Sequence, residues 1–62
     1  MTFESPITRS DLARALGCSR MTLWTYQRKG LLPAPTRINR RRSEFSPAAA
    51  MRAADLVEAA RA

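Results

Sequence analysis

The chain has 62 residues, no histidine, a single cysteine, and eleven Lys and Arg against five Asp and Glu, for a net charge of +6. A chain this short forms one domain that buries about 60% of its unfolded surface, and without His it cannot build Cys–His or Ser–His–Asp catalytic arrangements or a His-containing zinc site. One Cys forms no intrachain disulfide, no run approaches the roughly 18 to 20 apolar residues of a membrane helix, and MTFESP lacks the basic start and apolar stretch of an export signal.

The expected elements follow in chain order. Residues 1–6 read as a frayed, flexible lead-in. Thr8 is placed to cap a first helix over residues 9–16, with Asp11 three positions on as a capping-box variant. Leu12 and Leu16 share one face of it, Ile7 packs ahead of its first turn, and Ala13 offers a small side chain beside them. Gly17 ends that helix by supplying positive φ, and Ser19 caps a second helix over residues 20–29, closed by Gly30. Cys18 is expected as a small buried hydrophobe.

After Gly30, the prolines in LLPAP forbid a helix, so Leu31 and Leu32 should lie extended against the two helices. TRINRRRSEF reads as a hairpin over residues 36–45, anchored by Ile38 and Phe45 around a basic tip at residues 39–42. Ser46 and Pro47 are a capping residue and a proline suited to a first helical position, and they open a final Ala-rich helix reaching residue 61. Arg52 with Asp55 and Glu58 with Arg61 are spaced as pairs on its outer side, leaving Ala49, Ala50, Ala53, Leu56 and Val57 for the core. A helix, tight turn, helix, hairpin and final helix describe a mainly α winged helix-turn-helix, with residues 8–30 as the helix-turn-helix, 36–45 as the wing and 46–61 as the C-terminal helix of a single domain over 1–62.

Charge is concentrated within that layout. No acidic residue lies between Asp11 and Glu44, and the window holds Arg14, Arg20, Arg28, Lys29, Arg37, Arg40, Arg41 and Arg42. A surface of that sign points to a polyanionic partner, and in this fold to double-stranded DNA. Drawn at 100° per residue, the second helix turns Leu23 and Tyr26 inward and Met21, Trp24, Thr25 and Arg28 outward, with Arg20 and Thr22 flanking. That outer face is expected in a major groove. Arg20 or Arg28 would bond guanine O6 and N7, Met21 would touch a thymine methyl, and Thr25 would bond a base or a phosphate. Ser19 at the helix start would hold a phosphate, as would Lys29 and the Tyr26 hydroxyl. On the wing, Arg37, Asn39, Arg40, Arg41 and Arg42 would follow the backbone or enter the minor groove.

Plainer readings stand beside these. Trp24 could cover the wing or the leucines, Met21 could fill a core gap, Tyr26 is mainly core, and the arginine run could be a solvated loop.

Two families share parts of this pattern. ITRSDLARALGCS resembles the phage excisionase-type DNA-binding domains, which open with an aliphatic-Thr pair and continue to an Ala, a Gly and a Ser at these intervals. TLWTYQRKGLLPAP is similar to the MerR-type regulators, with their Thr-Leu pair, a Tyr in the recognition helix and a Gly-Leu-Leu-Pro exit before the wing. Trp24 and Thr25 stand where MerR-type chains usually carry Arg and Tyr. Together the resemblance covers residues 7 to 57.

The excisionase-type resemblance implies a recombination directionality factor that binds repeated sites cooperatively, bends DNA and steers an integrase or recombinase, an expectation favoured by small size and the lack of an effector domain. The MerR-type resemblance implies a transcription regulator, or its DNA-binding domain, with RNA polymerase as a partner. A phage-type protein-interaction module is the alternative from another class. No enzyme activity, cofactor, metal or membrane partner is expected, and the location is cytoplasmic, at the bacterial nucleoid.

Overall fold

The computed structural model describes residues 2–61. Met1, in the expected lead-in, and Ala62, at the expected domain end, lie outside the described residues. The elements in order are β1 (Ile7–Thr8), α1 (Arg9–Leu16), α2 (Arg20–Arg28), β2 (Thr36–Asn39), β3 (Arg42–Phe45) and α3 (Pro47–Arg61).

Both helices of the helix-turn-helix start and stop for local reasons. Thr8 Oγ1 accepts from the Asp11 amide at 3.3 Å, and Ser19 Oγ accepts from the Thr22 amide at 3.1 Å, so each hydroxyl satisfies an amide that has no partner within its helix. Each helix ends in a Schellman turn. Gly17 takes φ +70 while the Cys18 amide donates to Ala13 O, and Gly30 takes φ +78 while the Leu31 amide donates to Tyr26 O. The second helix therefore stops one residue before its expected end, with Lys29 as a right-handed cap and Gly30 just beyond it. Ser46 caps α3 through the Ala49 amide at 3.2 Å, with Pro47 at its first position, where a missing N–H costs nothing.

The wing is a sheet of three antiparallel strands in the order β1-β3-β2. Its middle strand is β3, which pairs Phe45 with Ile7 and Glu44 with Thr8 on one side, and Glu44 with Thr36 on the other. The third strand, β1, was not expected. Two residues cannot display an alternating pattern, and Ile7 was read only as packing ahead of α1.

The core lies where the helices meet this sheet. Leu12, Leu23, Phe45, Ala50 and Ala53 are fully buried, with Leu16, Leu32 and Val57 nearly so. Burying a side chain the size of Leu or Phe contributes about 1.5–3 kcal/mol, so Leu12, Leu23 and Phe45 are the main anchors. The alanines of α3 let that helix approach α1 and β3 closely.

Several expectations fail for identifiable reasons. Ile38, expected as an apolar anchor, is 54% exposed. The β2–β3 register slips between Arg37 and Asn39, so Ile38 occupies a bulge with no partner and loses the alternation that would turn it inward. Leu31 points out at 42% exposure while Leu32 alone reaches the core. The lead-in, expected to be frayed, packs Phe3 against the core, and Leu56 and Cys18 are only partly buried.

The expected ion pairs on α3 do not form; among the described residues the ion pair is Arg42–Glu44, at 2.7 Å. Arg61 instead turns to α1, its Nη2 donating to Leu16 O at 2.9 Å and Gly17 O at 2.7 Å. Arg52 Nε donates to Leu31 O at 3.4 Å. Carbonyls at a helix end lack internal partners, and a charged donor serves them better than it serves an exposed carboxylate, where a pair is worth only about 0.2–1 kcal/mol. The architecture is a winged helix-turn-helix.

Candidate nucleic-acid interface

The outer face of α2 carries Arg20, Met21, Trp24 and Arg28, all exposed, with Thr22 and Thr25 half-buried beside them. Leu23 faces the opposite way into the core, and Tyr26 packs against its edge, as the helical period requires. Met21 is 65% exposed and fills no core gap. Trp24 is 42% exposed, and its ring is covered on one side by the Arg28 guanidinium at 5.1 Å from its centroid. That stacking orients Arg28 along the outer face and contributes about 0.5–1 kcal/mol at an exposed site.

The small hydroxyls are engaged within α2. Ser19 Oγ serves the cap and lies 3.0 Å from Thr22 Oγ1. Thr25 Oγ1 donates to Met21 O at 2.9 Å, which leaves its lone pairs outward as acceptors. Lys29 is exposed at the end of the helix.

On the wing, Arg37, Asn39, Arg40, Arg41 and Arg42 are all exposed. They are not equivalent. Asn39 Oδ1 accepts from the Arg41 amide at 2.9 Å and shapes the turn, which leaves the side-chain Nδ2 as the group able to donate to DNA. Arg42 donates to Glu44 Oε2 from Nε at 3.0 Å and from Nη2 at 2.7 Å, so its charge is largely matched. Among the described residues Arg37, Arg40 and Arg41 have no carboxylate partner.

Two grooves meet at the start of α2, and the second of them reaches the wing. One is lined by Arg9, Ser19, Arg20, Met21 and Trp24. The other runs from the first turns of α1 and α2 to the wing and brings Arg20 together with Arg41 and Arg42. A smaller hollow lies along α2, under Trp24, Thr25, Arg28 and Lys29.

Sequence reasoning missed Arg9, which lies on both of the first two grooves. It fell just outside the acid-free window and was read only as the start of a helix. The signal that could have marked it is a cation at the first position of a helix, where the backbone dipole disfavours positive charge.

Cys18 stands apart from this surface. Burial raises its thiol pKa above the ordinary value, with nearby Arg61 pulling the other way. Among the described residues no group of carboxylates, Cys or His could hold a metal, and no helix is long and apolar enough to cross a membrane.

No curated protein and no solved structure matches the chain. From the Ile7 strand through the helix-turn-helix and wing to Glu58 on α3, residues 7–58 match the model of the MerR HTH family regulatory proteins, and the chain belongs to that family of DNA-binding regulators.

Proposed function

We infer that the protein binds specific double-stranded DNA, with the outer face of α2 in a major groove and the wing along the adjacent backbone. The observation that carries this reading is that Arg20 of α2 and Arg41 of the wing line one groove, so helix and wing present a continuous cationic surface. Arg20 and Arg28 are the guanine-reading candidates, Met21 and Trp24 supply apolar contact, and Thr22 and Thr25 supply short polar contact. Ser19, Tyr26 and Lys29 are the candidates for phosphate contact, and Arg37, Asn39, Arg40, Arg41 and Arg42 those for the wing's backbone contacts. The chain acts as a non-enzymatic regulator at DNA in the cytoplasm.

The finer role as a recombination directionality factor, acting with an integrase, is supported by the ITRSDLARALGCS resemblance. Selecting duplexes from a random pool at physiological salt, then sequencing those retained, tests both levels. An enriched motif supports specific recognition, and its absence, with binding that vanishes as salt rises, overturns it in favour of a protein partner. Direct repeats about 10 base pairs apart support the recombination role with cooperative self-association, whereas an inverted repeat supports a regulator dimer acting with RNA polymerase.

A further inference from the structure

Between the first turns of α1 and α2 and the wing lies a concave groove of about 460 Å³, onto which Arg9, Arg20, Arg41 and Arg42 converge from three parts of the chain. Like charges gathered this way repel one another. Arg9 and Arg20 are also the first residues of α1 and α2, where each helix dipole adds to the positive potential. Glu44 matches Arg42, but among the described residues Arg9, Arg20 and Arg41 have no carboxylate partner.

Arg9 differs from the others in being fixed in place. It is half-buried, its Nη2 donates to Gln27 Oε1 at 2.7 Å, and its guanidinium lies 5.7 Å from the centre of the Phe45 ring. Its Nε is buried without a hydrogen-bond partner. A guanidinium already held by a neighbour and a ring loses little freedom on meeting a ligand, and its planar fork matches the oxygens of a phosphate.

We propose that this groove is a phosphodiester site, in which Arg9, positioned by Gln27 and Phe45, binds one DNA backbone phosphate together with Arg20 and Arg41. The site rests on the DNA-binding reading above and adds to it a contact from outside both the recognition helix and the wing. One anion seated among the three unpaired guanidinium groups relieves their mutual repulsion. The groove also lies between α2 and the wing, where one DNA backbone passes if α2 reads the major groove and the wing follows that backbone.

The test is the salt dependence of binding by the full chain to a random-sequence duplex, followed by fluorescence anisotropy. Arg9→Met keeps the side-chain stem over Phe45 and removes the charge. Each neutralised phosphate contributes about 0.9 to the slope of log K against log salt, so the slope should become shallower by about 1 in this variant. Arg9→Lys should largely restore the slope, and Arg14→Ala, an exposed cation on the last turn of α1, should leave it unchanged.

An unaltered slope in folded Arg9→Met, with the wild type binding normally, overturns this site and leaves the DNA-binding reading standing. Absence of wild-type binding overturns both. Should Arg9→Met fail to fold, the Arg9 Nε–H resonance of the 15N-labelled wild-type protein decides the matter. A shift on addition of duplex supports the site, and an unmoved resonance while other signals shift overturns it.

Discussion

Gly17 and Gly30 close α1 and α2 with nearly the same left-handed backbone, φ +70 and +78, but their surroundings differ. A Cβ on Gly30 would meet nothing within 4 Å, whereas one on Gly17 would lie 3.1 Å from Arg61 Nη2. That nitrogen is the one that donates to the Leu16 and Gly17 carbonyls. Placing alanine in the left-handed region costs about 1–2 kcal/mol, offset by about 0.4–1 kcal/mol from the narrower unfolded ensemble, so Gly30→Ala should lose about 1 kcal/mol.

Gly17→Ala carries the same backbone cost and in addition displaces the guanidinium. A hydrogen bond from a charged group is worth about 1.5–3 kcal/mol, and exposure of Arg61 reduces this to about 1 kcal/mol, for a total near 2 kcal/mol. A chain of this length is expected to hold only about 3–9 kcal/mol in all.

Urea unfolding followed by far-ultraviolet circular dichroism reads the difference as a lower midpoint at unchanged slope. Arg61→Ala closes the cycle. It should cost about 1 kcal/mol in the wild type and in Gly30→Ala, and almost nothing in Gly17→Ala, where the contact is already lost. Equal losses for the two glycine variants, or additive losses for Gly17→Ala with Arg61→Ala, would refute the role given to Arg61.

Three further outcomes are expected. Arg28→Ala should weaken a selected site by about 1–3 kcal/mol and relax one base preference, read by repeating the selection with the variant; an unchanged motif moves the base-reading surface elsewhere. Arg40→Ala with Arg41→Ala should weaken all duplexes alike and flatten the salt slope by about 2, whereas Arg42→Ala, whose charge Glu44 already matches, should flatten it by clearly less than 1. Because burial raises the Cys18 thiol above its ordinary 9.0, the folded chain favours the neutral form. The stability this gives is complete below pH 9.0 and is lost as pH rises through the folded value. Urea midpoints should therefore fall as pH rises above about 9 more steeply in the wild type than in Cys18→Ala, and equal falls would count against it.

Much of the fold was legible because its boundaries are chemical and local. Thr8, Ser19 and Ser46 cap helices at the positions where their hydroxyls were expected to act, and Gly17 and Gly30 turn the chain where positive φ was required. What escaped depends on residues distant in the chain. Strand β1 exists because β3 offers it an edge, and Ile38 is exposed because it occupies the bulge that the β2–β3 register shift creates and so has no partner. Arg52 and Arg61 had suitable partners three residues away and took carbonyls more than twenty residues away instead.

The interface divides in the same way. The outward face of α2 follows from the helical period, and the exposed arginines of the wing follow from its charge. Arg9 acquires a place on that surface only once Gln27 and Phe45 are brought beside it.

The central position of β3 has a mechanical consequence. Thr8 is paired with Glu44 in the sheet while its hydroxyl caps α1, and Phe45 at the end of the same strand is fully buried among the helices. A push on the wing is thus delivered through one continuous ladder to the first turn of α1, and α2 moves with α1 through their shared core. Helix and wing behave as the two arms of a fixed caliper. A duplex whose grooves do not already match that span is expected to bend or twist to be held, because the strand pairing of β1, β3 and β2 ties the wing to the first turn of α1.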